Sequence, residues 1–372
     1  MTMSDAIPDG AALSRHPLWR EDIAQVLSAD LPWEQFDGRT ILVAGANGFL
    51  PAAMVETLLT LALRGKAPRL KVIALARSRE NALRRFAAHL GHPSLSIKIA
   101  DVSQPIEIDE PVDMIVHAAS QASPRFYGVD PVGTALPNVV GTHNLLELAR
   151  RKGVSRFLYF SSSEVYGGFD SRREPICESD FGALDPATLR ACYAESKRMG
   201  ETLCVSYGAQ YGIDCVIARP FHTYGPGMRL DDGRVFADFV RDVVEGRDIV
   251  LNSDGSAERA FCYLADATQA FFTLLLKGEK SRAYNVGNSR AVVSIRELAT
   301  MLTSLSPERG LSARFAPPRE GYIPSSVARS APDTARLEKL GWRPQTSVEE
   351  GFRRTIDIYR DIFASRTLGA SA

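Results

Sequence analysis

From residue 39 onward the chain repeats one rhythm, a short apolar run of strand length followed by a stretch of helical character. The runs are Thr40–Ala44, Lys71–Ala76, Ser96–Ala100, Met114–Ala118, Arg156–Ser161 and Asp214–Ala218. Helical stretches lie among them at Ala52–Leu63, Gly141–Arg151 and Ala191–Tyr207. Strands that are apolar almost throughout must be covered on both faces, which points to a parallel sheet between helical layers. The predicted fold class is therefore α/β, a Rossmann-type doubly wound parallel sheet. Right-handed crossovers place the C-terminal ends of all its strands on one edge, where ligands bind. After about Gly225 the rhythm loosens, with more Pro, Gly and Arg and helices expected at Arg234–Glu245 and Ser294–Leu305. This predicts a smaller C-terminal α/β substrate lobe. The expected divisions are an N-terminal extension (1–38), a dinucleotide-binding domain (39–220), a mainly substrate-binding lobe (221–365) able to return to the sheet, and a tail (366–372). Pro17–Leu27 suggests a short helix, read as a packing or dimer arm.

Composition removes several classes of function. Forty-four Lys and Arg balance forty-four Asp and Glu, so no electrostatic case exists for nucleic acid or a membrane surface. No apolar run reaches the length of a membrane span. Asp5, Asp9, Glu21 and Asp22 lie where a signal peptide would be basic and then apolar. The five cysteines (Cys177, Cys192, Cys204, Cys215 and Cys262) lack CxxC spacing, and the six histidines form no HExxH. Neither a disulfide scaffold nor a metal site is expected, and the reading is a reduced, cytoplasmic protein.

ILVAGANGFLPAAMVETLL reads as strand, glycine turn and helix. Gly45 and Gly48 let the backbone approach a pyrophosphate, and the helix beginning near Phe49 points free N–H groups at it. Pro51 occupies the place of a customary third glycine, which a first helical turn tolerates. An acid that would hold the adenosine ribose is missing where the second strand ends at Ala76. Arg77 and Arg79 follow, able to hold a 2′-phosphate, although two solvated arginines would look the same. The cofactor expectation is accordingly NAD(P)+, with NAD+ and NADP+ both open. Asp101 and Val102, after the third strand, are placed to meet the adenine edge.

Tyr193 and Lys197 are four residues apart, hence on one helical face. A phenol with a pKa near 10 is a poor base at neutral pH, and a neighbouring ammonium favours its phenolate. A Tyr-x-x-x-Lys spacing is common on helix surfaces. Here it follows FLYFSSSEVYG, whose Ser161, Ser162 and Ser163 finish a strand at the ligand edge. A hydroxyl there can relay a proton to the tyrosine.

GANGF, HAAS (His117–Ser120), SSSEVYG, YAESK and RPFHTYGPG, in this order, resemble the extended short-chain dehydrogenase/reductase family and its epimerase/dehydratase group. The resemblance runs from about Thr40 to about Ile356. HAASQASPRFYGVDP, Arg190-Ala-Cys-Tyr193 with KRMGETL, DDGRV, SAERAFCYLAD and LGWRPQTSVEEGFRRTI are similar to the UDP-glucuronate decarboxylase subfamily. The resemblance implies Ser162, Glu164, Tyr193 and Lys197 as the catalytic set. It implies cofactor contacts from Gly45, Asn47, Gly48, Phe49, Leu50, Arg77, Asp101, Val102, Ala118, Ala119, Ser120, Tyr193, Lys197 and Pro220. Ser163, Arg190, His222, Arg234 and Arg259 would face the substrate, with Arg259 clamping a diphosphate. Glu164 could equally be a loop acceptor, His222 a satisfied structural histidine, and Arg190 and Arg234 ordinary salt bridges.

The implied partner is a nucleotide sugar, UDP-linked, and the family's habit is a homodimer through the helices holding Leu145 and Tyr193. The implied chemistry is transient oxidation of the sugar at C4, followed by decarboxylation of a uronic acid. Dehydration across C5–C6 or 4-epimerisation are the alternatives. Pro137, His222 and Gly227 depart from the subfamily on the substrate side and leave the sugar open. A non-catalytic dinucleotide-binding regulator is the remote alternative, disfavoured by the complete Ser162, Tyr193 and Lys197 set.

Overall fold

The computed structural model describes residues 9–168, 175–316 and 328–369. Its strands are β1 (Thr40–Ala44), β2 (Lys71–Ala76), β3 (Leu95–Ile99), β4 (Met114–His117), β5 (Arg156–Phe160), β6 (Cys215–Pro220), β7 (His222–Tyr224), β8 (Ile249–Leu251), β9 (Glu258–Tyr263), β10 (Arg282–Val286), β11 (Val292–Ser294), β12 (Ala313–Phe315) and β13 (Arg329–Ser330). The helices are α1 (Gly10–Arg15), α2 (Pro17–Leu27), α3 (Phe49–Leu63), α4 (Arg79–Arg85), α5 (Pro131–Lys152), α6 (Ala191–Tyr211), α7 (Val235–Glu245), α8 (Leu264–Lys277), α9 (Ile295–Ser304), α10 (Ala335–Glu338) and α11 (Val348–Gly369).

Seven strands form one sheet in the order β10-β6-β5-β4-β1-β2-β3, all neighbours parallel. The α/β fold expected from the strand rhythm is the fold observed. Alternate side chains of β1 serve opposite faces, as the two-residue strand period requires. Ile41 and Val43 join Leu58 of α3 and Phe271 of α8 in one core layer, while Leu42 and Ala44 join Leu145 and Leu146 of α5 and Cys204 of α6 in the other. Leu145, expected on a dimer helix, thus points into the core and is fully buried.

The lobe interval contains a return to the sheet. Helix α8 packs on β5 and β6, and β10 pairs with β6 as the seventh strand. The remainder builds a small sheet around β9, antiparallel to β11 and parallel to β7 and β13, with β8 and β12 as a separate pair. The extension folds back on the same chain. Asp9 caps α1, His16 caps α2 with Pro17 in its first turn, and α2 occupies the expected Pro17–Leu27. It lies against α3 and α8, with Trp19 buried. The tail expected at 366–372 is helical as far as Gly369, and its remaining residues lie outside the described ones.

Helix α5 starts ten residues before the expected Gly141. Asp130 caps it by accepting from the Gly133 amide, Pro131 opens the first turn, and Pro137 is carried inside. No helix among the described residues is long and apolar enough to cross a membrane.

Candidate active site

Three adjoining cavities follow the C-terminal edge of the sheet. The first, about 820 Å³, lies over β1 and β2 and is lined by Gly45, Asn47, Gly48, Ala76, Arg77, Asp101, Val102 and Ala119. The central one, about 1020 Å³, is lined by Phe49, Leu50, Ser162, Ser163, Glu164, Tyr193, Lys197, Pro220, His222 and Arg234. Gly48, Ala118 and Ser120 border both. The outer cavity, about 1100 Å³, shares Ser163, Glu164 and His222 with the central one and adds Arg190, Arg259 and Ser330. Every site residue expected from the sequence except Arg79 therefore lines one continuous trench. Arg79 differs: as the exposed first residue of α4 it does not line the cavity that Arg77 borders.

The inner cavity fits a dinucleotide on several observations. Gly45 has φ +77°, and a Cβ there would stand 2.7 Å from Ala119 Cα, so only glycine lets the loop lie so close to the following strand end. Gly48 leads into α3 with helical N–H groups free at the anion position. Pro51 sits buried in the first turn of α3 without interrupting it. The buried Ser120 hydroxyl, at the border of the two cavities, has no hydrogen-bond partner among the described residues, leaving a polar group for a ligand to satisfy.

Tyr193 and Lys197 occupy the first two turns of α6 and are both buried. Lys197 Nζ donates to the Phe160 carbonyl at 2.7 Å and stands 5.2 Å from the Tyr159 ring centre and 5.8 Å from that of Tyr193. Burial pulls its pKa down to about 7, with the nearby Glu201 acting against the shift. Burial pushes the Tyr193 phenol up, opposed by a hydrogen bond with the Ser162 side chain and by the Arg234 guanidinium. Ser162 follows β5 and accepts from the Glu164 amide at 3.2 Å, capping the single 3-10 turn Ser163–Tyr166 that carries Glu164. Glu164 is exposed and faces Arg190 at 3.6 Å.

His222 is half-buried, and its Nδ1 makes no hydrogen bond among the described residues. Burial, then the charges of Arg259 and Arg234, hold its pKa at about 3, so the ring is neutral at working pH. A neutral ring with a bare nitrogen between two cavities fits ligand contact better than a satisfied core histidine. Arg234 contacts Asp232 at 2.9 Å and the Ala122 carbonyl at 3.0 Å. Buried Arg259 bonds the Glu258 carbonyl at 2.7 Å. Both guanidiniums are thus oriented at the trench wall by short-range partners.

A family model for the NAD dependent epimerase/dehydratase family matches residues 41–287. The chain belongs to this family. Its relatives include UDP-glucuronic acid decarboxylase 6 of Arabidopsis thaliana, 34% identical over 84% of this chain and 86% of that protein. UDP-glucuronic acid decarboxylase 1 of Danio rerio is 33% identical over 87% of this chain and 73% of that protein. Among solved structures, the dTDP-glucose 4,6-dehydratase of Streptomyces venezuelae with NAD bound is 28% identical, with a TM-score of 0.72 over 87% of this chain and 97% of that one. The UDP-glucose 4-epimerase of Thermus thermophilus, in complex with NAD, is 27% identical, with a TM-score of 0.68 over 86% and 99%.

Several residues that line the trench or bond its lining escaped the sequence reading. Tyr127 stacks on Tyr193 with ring centres 5.2 Å apart and planes 17° from parallel. Its place within HAASQASPRFYGVDP was the available signal. Glu201, four residues past Lys197 on the same helix face, was legible by the spacing that paired Tyr193 with Lys197. Thr223, within RPFHTYGPG, and Phe236, which no local pattern marks, complete the central wall.

Proposed function

We propose that this family member decarboxylates a UDP-linked uronic acid through transient oxidation at C4, with a nicotinamide cofactor recycled in place. The observation that carries the reading is the convergence of Ser162, Glu164, Tyr193 and Lys197 on one cavity that opens outward to Arg190 and Arg259. The one-third identity to UDP-glucuronic acid decarboxylases over most of the chain supports it.

When bound, the cofactor supplies a two-electron acceptor for C4 and gives the electrons back at the end. Tyr193, as phenolate, takes the C4 hydroxyl proton directly or through Ser162. Lys197, held by the Phe160 carbonyl, favours that phenolate while it is charged. Once C4 is a ketone, the C5 carboxylate belongs to a β-keto acid. The bond from C5 to the carboxyl carbon breaks, carbon dioxide leaves, and the electron pair enters the carbonyl as an enolate. A proton returns to C5 from Glu164 or from water that it orients. Tyr193 then reprotonates O4. The diphosphate rests on Arg259, with His222 and Arg234 beside the nucleotide sugar.

The adenosine end of the trench favours acceptance of a 2′-phosphate. Buried Ala76 stands where an acid would bind ribose, and Arg77 lines the cavity with Ser78 and Asn81. A homodimer and a cytoplasmic location belong to the same proposal. Val132 and Leu136 of α5 and Met199 and Val205 of α6 are 42–65% exposed on the outer face of those helices, an apolar stripe for a second copy. Sedimentation velocity tests that part.

The decisive experiment incubates the protein with UDP-glucuronate and follows the nucleotide-sugar mass. Loss of the mass of carbon dioxide is expected. An unchanged mass with inverted C4 stereochemistry would instead assign a 4-epimerase. Dehydration of a nucleotide-linked hexose, with UDP-glucuronate ignored, would assign the reaction of the Streptomyces relative.

A further inference from the structure

The loop that carries Ser162 and Glu164 is anchored on both sides of these residues by one buried ion pair. On its near side the Ser161 hydroxyl donates to Glu201 Oε1 at 2.5 Å. Glu201 in turn receives Arg219 of β6 in a forked contact, Nε to Oε1 at 2.8 Å and Nη2 to Oε2 at 2.6 Å. On the far side Arg219 Nη1 donates to the Tyr166 hydroxyl at 2.9 Å and to the Glu178 carbonyl at 3.0 Å. The Tyr166 hydroxyl in turn donates to Asn285 Oδ1 at 2.5 Å. Arg198, one residue beyond Lys197, fixes the Val165 carbonyl at 2.8 Å. Ser162 and Glu164 are thus suspended between two clamps that meet on a single carboxylate and guanidinium. Both side chains of the pair are largely buried, 6% exposed for Arg219 and 13% for Glu201.

Glu201 also lies one helical turn past Lys197, on its face of α6. The groups facing the ammonium are the Phe160 carbonyl and Tyr159 ring from β5, His117 from β4, and Tyr193, Cys204 and Glu201 from α6. His117 is held neutral by burial, and the Cys204 thiol is pushed far up by burial. Among these groups Glu201 is the one negative charge.

We propose that Glu201 is a positioning residue with two tasks: it fixes the Ser162–Glu164 loop through Ser161 and Arg219, and it keeps Lys197 charged through its field. This rests on the roles given above to Ser162 and Lys197. Fork-shaped carboxylate–guanidinium contacts set geometry as well as energy, and an ångström of misplacement at a reacting group costs up to about a hundredfold in rate. A purely structural ion pair would change stability alone.

The test uses the full-length protein with cofactor and two variants, Ser161→Ala and Glu201→Gln. Ser161→Ala cuts one clamp and leaves the charge, so kcat should fall roughly tenfold with KM and the pH profile kept. Glu201→Gln removes the charge as well. Its kcat should fall further, and the alkaline limb of its kcat profile should move to lower pH, since the ammonium loses its supporting carboxylate. Hydrogen exchange of the 161–167 amides should quicken in both variants, a readout that needs no substrate. Wild-type inactivity on UDP-glucuronate would count against the proposed reaction while leaving the exchange result to judge the clamp. Unchanged exchange in Ser161→Ala, or a soluble Glu201→Gln with the wild-type pH limb, would overturn the assignment. If Glu201→Gln does not fold, Ser161→Ala with wild-type kcat overturns it.

Discussion

The phosphate-loop helix α3 is tied to the N-terminal extension by one carboxylate, and removing its charge should show how much the extension contributes. Glu56 accepts from Arg85 Nη1 at 2.6 Å, Trp19 Nε1 at 2.8 Å and Ser14 Oγ at 2.8 Å, with His89 Nε2 at 3.4 Å. The Glu56 and Arg85 side chains are 3% and 5% exposed. Burial pushes the Glu56 carboxyl up, but the Arg85 charge and the contacts from His89 and Trp19 outweigh it and hold it below the usual range. Glu56→Gln keeps the shape and leaves the Arg85 guanidinium buried without its counter-charge. Breaking one side of such a pair costs about 3–5 kcal/mol. An unfolding entropy of about 2.1 cal/mol/K per residue over 372 residues is roughly 0.8 kcal/mol/K, so Tm should fall by about 4–6 °C. The pH dependence follows from the lowered carboxyl pKa. Its stabilisation is fully present above the unfolded value, about 4.3, and is lost as pH falls through the folded one. Differential scanning fluorimetry of cofactor-free protein should therefore show a gap between wild type and variant at pH 7 that narrows below pH 4.5. A gap under about 1 °C at pH 7, or one that stays constant into acid, would refute the reasoning.

Tyr193→Phe should bind cofactor normally and lose roughly 10²–10⁴ in kcat, because only the ionisable oxygen is removed; turnover near wild type would remove Tyr193 from the mechanism. Lys197→Met should be nearly inactive yet melt higher than wild type at pH 6. The folded Lys197 pKa of about 7 lies far below an unfolded lysine, so the charged lysine burdens the fold fully below pH 7 and progressively less above it. The Tm gap should shrink by pH 9, and a variant that melts lower at pH 6 would contradict the buried-ammonium account. Arg77→Ala should weaken NADP+ binding, read as a loss of about 1–3 kcal/mol by calorimetry for a charge-assisted contact, and leave NAD+ binding unchanged; equal losses for both would show that Arg77 does not reach a 2′-phosphate.

The sheet was legible because β1, β2, β4, β5 and β6 are buried on both faces along nearly their whole length, and uninterrupted apolar runs survive any local accident of sequence. The edges of the reading failed where local signals compete. The expected helix opened at Gly141, past Pro137, yet Asp130 and Pro131 start α5 upstream and the helix carries the proline inside it. Strand β10, ArgAlaTyrAsnVal, carries polar residues at Arg282 and Asn285, so no apolar run announces it. Asn285 is polar because its amide closes the chain from Tyr166 and donates to the Ile176 and Asp333 carbonyls. The three-residue lobe strands β7, β8, β11 and β12 are too short to show a period at all.

The same contrast runs through the trench. Residues expected to touch a dinucleotide sit at strand ends and helix starts, where a topological rule locates them without knowledge of packing. Residues proposed to aim the reacting groups are assembled from distant parts of the chain, and apart from Glu201, which spacing places beside Lys197, only the fold reveals them. Ser161, Tyr166, Glu201 and Arg219 come from the residue after β5, the turn beyond it, α6 and β6, and no spacing along the chain connects Arg219 with Tyr166. Their burial explains the arrangement. A carboxylate and a guanidinium withdrawn from water must satisfy one another and every remaining donor and acceptor, and the hydroxyls available to do so here belong to the loop bearing Ser162 and Glu164. The requirement that buried charges be fully partnered therefore fixes the backbone of that loop, and through it the spacing of Ser162 and Glu164, the residues proposed as proton relay and as the carboxylate acting at C5.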